Sequence, residues 1–212
     1  MRQVLKNNFN NMKWNVVATK EQVEKTIIAL KSKNIEAEFV ATGAEAKKRL
    51  FDILPEGAEV MSMTSVTLDT IGVPKEINES GRFNAVRPKL TDKNTSDREK
   101  KRLGAAPEWV AGSVQAVSEN GTVMVASNTG SQLPAYLYGA DHVIWIVGAQ
   151  KIVKDEESGR RRVYEHVLPL ESERAKKAYG VAGSFVSKLA IFNKEVTPGR
   201  IRMIIVGEAL GF

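Results

Sequence analysis

Apolar residues fall into two spacings along this chain, one near 3.6 and one near 2, and the two take turns. Val23, Ile27, Ile28 and Leu30 recur at near-helical spacing after Thr19-Lys20-Glu21-Gln22. This predicts a helix ending near Asn34, with Thr19 as N-cap and Gln22 positioned to complete a capping box. Residues 35–40 (Ile-Glu-Ala-Glu-Phe-Val) alternate like a strand. Thr42-Gly43-Ala44-Glu45 then opens a helix through Leu50 and Leu54 that Pro55-Glu56-Gly57 terminates. Residues 58–63 predict a short strand, followed by the loop Thr64-Ser65-Val66-Thr67 and a helical run over 68–71 stopped at Gly72. A short helix over 76–79 is expected after Pro74. A charged helix is expected over 95–106, capped by Thr95 or Ser96, with Asp97 and Glu99 in its first turn and Pro107 beyond it.

In the second half, residues 109–117 carry Val110, Val114 and Val117 and lead through Glu119-Asn120-Gly121 into 122–126, where Asn-Gly signals a hairpin and so an antiparallel pair within the sheet. Ser127-Asn128-Thr129-Gly130-Ser131 then lies between a strand and a helix expected over 132–138. Residues 142–147 (His-Val-Ile-Trp-Ile-Val) are apolar enough for a central strand. Helices over 155–167 and 172–192 and a last strand over 201–206 complete the chain. Alternation of this kind predicts an α/β fold, a mostly parallel twisted sheet with helices on both faces and ligands at the carboxyl ends of the strands. No linker or change of composition divides the 212 residues, so one domain over 1–212 is expected.

Composition narrows the chemistry. With 42% hydrophobic and 26% charged residues the chain is that of a globular protein. It has no cysteine, which removes disulfides, thiolate nucleophiles, iron–sulfur clusters and thiolate zinc sites from its own inventory. The start, Met1 to Phe9, lacks the apolar core of a signal peptide, and no window approaches ~18 continuous apolar residues, so a cytoplasmic protein without a membrane segment is expected. The net charge of +6 would suit an anionic partner. However, Arg98, Lys100, Lys101 and Arg102 are interleaved with Asp97 and Glu99, and Arg160-Arg161-Arg162 follows Asp155-Glu156-Glu157. These runs predict solvated faces rather than a nucleic-acid surface.

Two loops could hold an anion. Thr64-Ser65-Val66-Thr67 offers hydroxyls and free backbone N–H groups at a helix start, although Ser or Thr there can equally act only as a cap. Ser127-Asn128-Thr129-Gly130-Ser131 repeats the arrangement, with Gly130 permitting close approach or a positive φ. In a doubly wound sheet both loops would face one edge, making a shared cleft or two independent caps. Neither carries a phosphate-loop or dinucleotide fingerprint. Lys151, in Gly148-Ala149-Gln150-Lys151 after the most apolar strand, could reach into such a cleft as a positive charge, or lie on the surface. Glu119 beside the hairpin turn is a candidate acid, base or nucleophile, or simply solvated. His142 and His166 share no metal-ligand spacing and are expected to be structural, as are Trp109 and Trp145.

From residue 112 to 155 the chain resembles the LUD (lactate utilisation) family. The matching segments are Gly112-Ser113-Val114-Gln115-Ala116-Val117, Glu119-Asn120-Gly121-Thr122-Val123, Asn128-Thr129-Gly130, Gly139, Val143-Ile144-Trp145-Ile146-Val147-Gly148 and Lys151-Ile152-Val153-Lys154-Asp155. Ser65-Val66-Thr67-Leu68-Asp69-Thr70-Ile71-Gly72 is similar to the family's earlier Ser/Thr-rich segment, so the resemblance covers most of residues 51–212, with 1–50 as an N-terminal helix and strand portion. The resemblance implies a three-layer α/β/α sandwich like that of sugar-phosphate isomerases and coenzyme A transferases. It also implies a part in bacterial oxidation of lactate to pyruvate beside iron–sulfur partner subunits. Substrate contacts would come from Thr64, Ser65, Thr67, Ser113, Asn128, Thr129, Gly130, Ser131, Gly148 and Lys151, with no resident metal or cofactor. The family's Gly-Asn-Arg is replaced here by Gly130-Ser131-Gln132, which removes an arginine suited to a bidentate carboxylate grip.

Two activities follow as expectations. One is a non-redox subunit that binds a small carboxylate or phosphate and acts with iron–sulfur partners. The other is a self-sufficient isomerase or transferase in which Glu119 is base or nucleophile and Thr64, Ser65, Thr67 and Lys151 hold the anion. A regulatory or nucleic-acid-associated module ranks below both. The trailing Leu210-Gly211-Phe212 would allow a homodimer.

Overall fold

The computed structural model describes residues 14–212; the start of the chain read above, Met1 to Phe9, lies outside the described residues. Helix α1 (Lys20–Ser32) opens on the predicted capping box, Thr19 and Gln22 exchanging side-chain-to-backbone bonds of 3.3 and 3.0 Å. Strand β1 (Ile35–Val40), helix α2 (Gly43–Ile53, capped by Thr42) and strand β2 (Glu59–Ser62) follow as their patterns require. Helix α3 (Val66–Thr70) is capped by Ser65. Helix α4 (Val73–Glu79) begins before Pro74 rather than after it, because a proline is tolerated in a first turn whose N–H groups have no partner anyway. Strand β3 (Asn84–Ala85) and helix α5 (Val86–Thr91), too short to leave a periodic signature, were not predicted; helix α6 (Asp97–Ala105), capped by Ser96, was.

Six strands form one wholly parallel sheet in the order β1, β10 (Ile201–Val206), β7 (His142–Gly148), β4 (Trp109–Gly112), β2, β3. Side chains leave its central strands alternately for two cores. Val143, Trp145 and Val147 of β7 join Val23 and Leu30 of α1, whereas Ile144 and Ile146 join Leu50 of α2, Leu68 of α3 and Ile77 of α4. Burial on both faces is why this strand reads as a continuous apolar run. Layers on either side of the sheet make a three-layer α/β architecture, and no described helix is long and apolar enough to cross a membrane.

The predicted hairpin exists, but in a different sheet. Strands β5 (Ala116–Ser118) and β6 (Val123–Ser127) pair antiparallel and belong to a second, four-stranded sheet ordered β8 (Ile152–Val153), β5, β6, β9 (Lys188–Phe192). This small sheet lies over the same face of the large one as α1, and Val117, Val123, Val125 and Phe192 pack in the core that holds Trp145. Phe192 and Tyr136 meet the Trp145 ring edge-on at 5.1 and 5.6 Å. Helix 172–192 is also corrected. A single helical rod runs from α7 (Glu156–Arg162) through a π-helical turn (Val163–Val167) into α8 (Leu168–Tyr179), and residues 188–192 are strand β9. The rod stops at Gly180, which takes φ 67° as its C-cap. The wider turn just ahead of Pro169 accommodates a residue that cannot donate to the preceding helical turn.

A second π-helical turn, Ala135–Gly139, replaces the C-terminal part of the helix expected over 132–138. It is held by Arg200, which is buried and donates to the carbonyls of Ala135, Tyr136 and Ala140 at 2.8 to 3.1 Å while pairing with Glu195 at 2.7 Å. Arg200→Leu removes a donor from three carbonyls and one carboxylate, and should lower the unfolding free energy in urea by about 3 kcal/mol. A loss below about 1 kcal/mol would mean that the turn is held by packing alone.

Candidate functional site

Strands β4 and β7 are neighbours in the large sheet, and their continuations β5 and β8 are neighbours again in the small one, Val117 opposite Ile152. Between the two sheets the chain passes through Ser113-Val114-Gln115 on one strand and the 3-10 turn Ala149–Lys151 on the other. This junction stands at the carboxyl ends of β4 and β7, beside the start of α3, which follows β2. The chain after β10 crosses it. The Leu210 carbonyl accepts from Thr67 Oγ1 at 3.1 Å and from Gln150 Nε2 at 3.0 Å, and the Gly211 carbonyl accepts from Gln150 at 3.2 Å. A Cβ on Gly148 would stand 2.7 Å from the Leu210 nitrogen, so glycine there serves this crossing.

A cleft of about 470 Å³ opens at the junction. Its floor is Thr67, Ser113 and Lys151. Thr64, Ser65 and Asp69 line it from the loop after β2 and the start of α3, and the loop after β6 contributes a wall of Ser127, Asn128, Thr129 and Ser131. Glu171 and Arg174 of α8 stand at one side, while Val181, Phe185 and Phe212 add apolar surface. Asn128 accepts from Ser187 at 3.0 Å, and Thr129 and Ser131 bond to each other at 3.1 Å, so this wall is ordered by its own polar contacts. Thr64 accepts a hydrogen bond from Arg87.

Positive charge concentrates beneath the floor. Lys151 is 2% exposed, and its Nζ donates to Thr67 Oγ1 at 2.9 Å and Ser113 Oγ at 3.1 Å. Arg162 of α7, also buried, donates through Nη1 to the Gln115 carbonyl, and its Nε and Nη2 find no acceptor. Among the described residues neither group forms an ion pair with a carboxylate. Desolvation, reinforced by the nearby Arg162 charge, holds the Lys151 amine well below the ordinary lysine value. Burial lowers Arg162 to about 9. His166, one turn further along the rod, is lowered to about 4 by burial and by the neighbouring Arg162 and Lys151 charges. At the rim, the Glu171 carboxylate holds Arg174 through two 2.7 Å bonds and raises its basicity, and partial desolvation raises the Asp69 carboxyl above its usual range.

The two predicted loops therefore face one cleft, although they come from two sheets rather than one edge. Thr64, Ser65, Thr67, Ser113, Asn128, Thr129, Ser131 and Lys151 all line it. Ser65 also accepts from the Leu68 N–H at 3.4 Å as a cap, and α3 is too short for much of a macrodipole. Gly130 and Gly148 are not in the lining. Gly130 takes φ 85° in a turn whose N–H is accepted by Ser127 Oγ. Glu119 lies elsewhere, accepting from Gln22 at 3.0 Å and Lys25 at 2.8 Å, and these contacts lower its carboxyl below the usual range. Leu210 is buried and Phe212 faces the cleft, so the trailing residues pack inward.

Arg162 and His166 were missed because the triple-arginine run reads as solvated. A signal was present, since Gly159, Arg162, Val163, His166 and Val167 follow the i, i+3, i+4, i+7, i+8 spacing of a buried face, and all five are buried. Arg160 and Arg161, off that stripe, pair outward with Glu156 and Glu165 at 2.9 Å. Among the described residues no group of three or more His, Asp or Glu is placed to hold a metal ion.

A family model described as LUD domain matches residues 23–206. Among solved structures, a DUF162-family protein from Deinococcus radiodurans superposes with a TM-score of 0.54 over 90% of this chain and 98% of that one, at 13% identity. That likeness speaks for the shared fold. A comparison with curated proteins found no match.

Two outcomes follow from the electrostatics. The unfolded imidazole of His166 protonates below its ordinary value of 6.5, while the folded one resists protonation until about 4. Its contribution to stability therefore falls as pH drops through that window. Urea unfolding at pH 7 and pH 4.5 should show a smaller acid loss in His166→Gln than in the wild type, and equal losses would contradict the assignment. Glu119→Ala should cost about 1 kcal/mol through its contacts to α1 while leaving any ligand-induced rise in Tm intact.

Proposed function

Because the chain belongs to the LUD domain family, we propose that it binds a small carboxylate of the lactate and pyruvate class in the junction cleft and serves hydroxy-acid utilisation as a non-redox subunit beside iron–sulfur partners. The observation that carries this reading is the buried Arg162 cation behind the cleft floor, which has no carboxylate counter-ion among the described residues, with the Lys151 amine in front of it meeting only hydroxyl partners. Removing a cation from water costs several kcal/mol, and an unpaired one is strongly destabilising unless something compensates it. A carboxylate entering the cleft would supply the missing charge, with Thr67, Ser113 and the hydroxyls of Thr64, Ser65, Thr129 and Ser131 available to its oxygens. The cleft is of a size suited to a small metabolite, and Phe185, Val181 and Phe212 offer apolar contact for a short carbon chain. Without cysteine the chain cannot ligate a thiolate-bound cluster itself, so electron transfer falls to partners.

Phosphate would answer the same charge, and the assay separates the two. Lactate, pyruvate, glycolate and inorganic phosphate are each titrated into the purified protein while Tm is followed. The short carboxylates should raise Tm more than phosphate does. Lys151→Met should weaken that binding by at least about 10-fold, the smaller end of the loss for removing a hydrogen-bond donor to a charged group. The same variant should be no less stable than the wild type without ligand, because methionine occupies a similar volume without a desolvated amine. Carboxylate binding that survives Lys151→Met unchanged, or no binding of any acid, overturns the proposal.

A further inference from the structure

Lys151 is chemically unlike the other lysines described. The remainder lie at the surface or at its edge, and those at Lys25, Lys47, Lys48 and Lys176 are paired with carboxylates. Lys151 is fully buried, faces the cleft and has only hydroxyl partners. Thr67 commits its own proton to the Leu210 carbonyl, so its oxygen can only accept from Nζ. With a second N–H directed to Ser113 Oγ, a neutral amine has used both protons, and the tetrahedral direction left over carries the lone pair. Arg162 supplies a lasting positive field behind the amine, whose own protonation is disfavoured by burial and by that same charge. Desolvation and a neighbouring cation each activate a lysine as a nucleophile, and both act on Lys151.

We propose that Lys151 is an amine nucleophile that condenses with the carbonyl of a 2-oxo acid bound in the junction cleft. The Nζ lone pair adds to the carbonyl carbon while the proton lost by nitrogen passes to the carbonyl oxygen. The resulting carbinolamine expels one water to leave an imine, so no oxidant or reductant is consumed. The substrate class is set by two features together, since the Arg162 charge behind the floor calls for a carboxylate and the neutral amine calls for an adjacent carbonyl. Lactate would bind without reacting and a 2-oxo acid would bind and become covalently held, which distinguishes oxidised from reduced ligand. The inference rests on the carboxylate-binding reading above.

The test traps the imine with cyanoborohydride in the presence of pyruvate and maps the adduct by peptide mass spectrometry, with Tm shifts recorded on the same samples. The expected result is one adduct per chain on Lys151, its added mass that of pyruvate less one water plus two hydrogens. Lactate should give no adduct. Lys151→Arg, which keeps hydrogen-bond donors, and Lys151→Met, which keeps the volume, should both lose the adduct, so a folding failure in one does not decide the matter. A pyruvate-induced rise in Tm with no adduct, or labelling spread over exposed lysines such as Lys177 and unchanged in both variants, would overturn the inference and leave carboxylate binding standing. No Tm rise with either acid, and no adduct, would overturn both.

Discussion

Backbone hydrogen bonding between two neighbouring parallel strands constrains everything around the junction. β4 and β7 lie inside the six-stranded sheet, each paired on both edges, so neither can leave it without stranding polar groups. They leave together and pair again as β5 and β8. In the gap between the two ladders individual partners take over: the Gln115 N–H donates to the Met124 carbonyl, the Gln115 side chain accepts from the Ala126 N–H, and the Gln115 carbonyl accepts from Arg162. An interrupted ladder with no through-going strand leaves room for a cleft, at the strand ends where open α/β sheets bind ligands.

At that location a buried guanidinium stands behind a buried amine. Lys151 donates to two hydroxyls and Arg162 Nη1 to a backbone carbonyl, contacts that cancel no charge, and Arg162 Nε and Nη2 are left without an acceptor. Elsewhere the charged residues behave conventionally. Exposed pairs such as Lys48 with Asp52 or Arg160 with Glu156 contribute a few tenths of a kcal/mol each, and they absorb much of the basic excess that composition alone makes conspicuous. The charge of Arg162 is buried, and the net value of +6 gives no indication of it.

Much of the framework was legible because it rests on short-range chemistry. The Thr19 capping box, the Thr42, Ser65 and Ser96 caps and the alternation in β1 need only residues a few positions apart. The last strand, 201–206, was placed residue for residue. The helix expected over 172–192 failed because its last part is a strand fixed from far away in the chain. A strand such as β9 is defined by its pairing with β6, over 60 residues earlier in the chain, and a run containing Lys188, Leu189, Ala190, Ile191 and Phe192 is as consistent with a helix until that partner is known. The hairpin was recognised from Asn120-Gly121, but the sheet it joins depends on where β4 and β7 carry their continuations.

The sequence by itself determined most of the alternation of helices and strands, several of the caps that start them, the lack of cysteine, and the two hydroxyl-rich loops, since each is written in residue identity and local spacing. Only the tertiary structure decided that Lys151 meets Thr67 and Ser113, residues 84 and 38 positions away, and that Arg162 turns inward behind them while Glu119 is drawn off to α1. Burial and the company of other charges are properties of the folded surroundings, and they set what a lysine or a glutamate can do chemically.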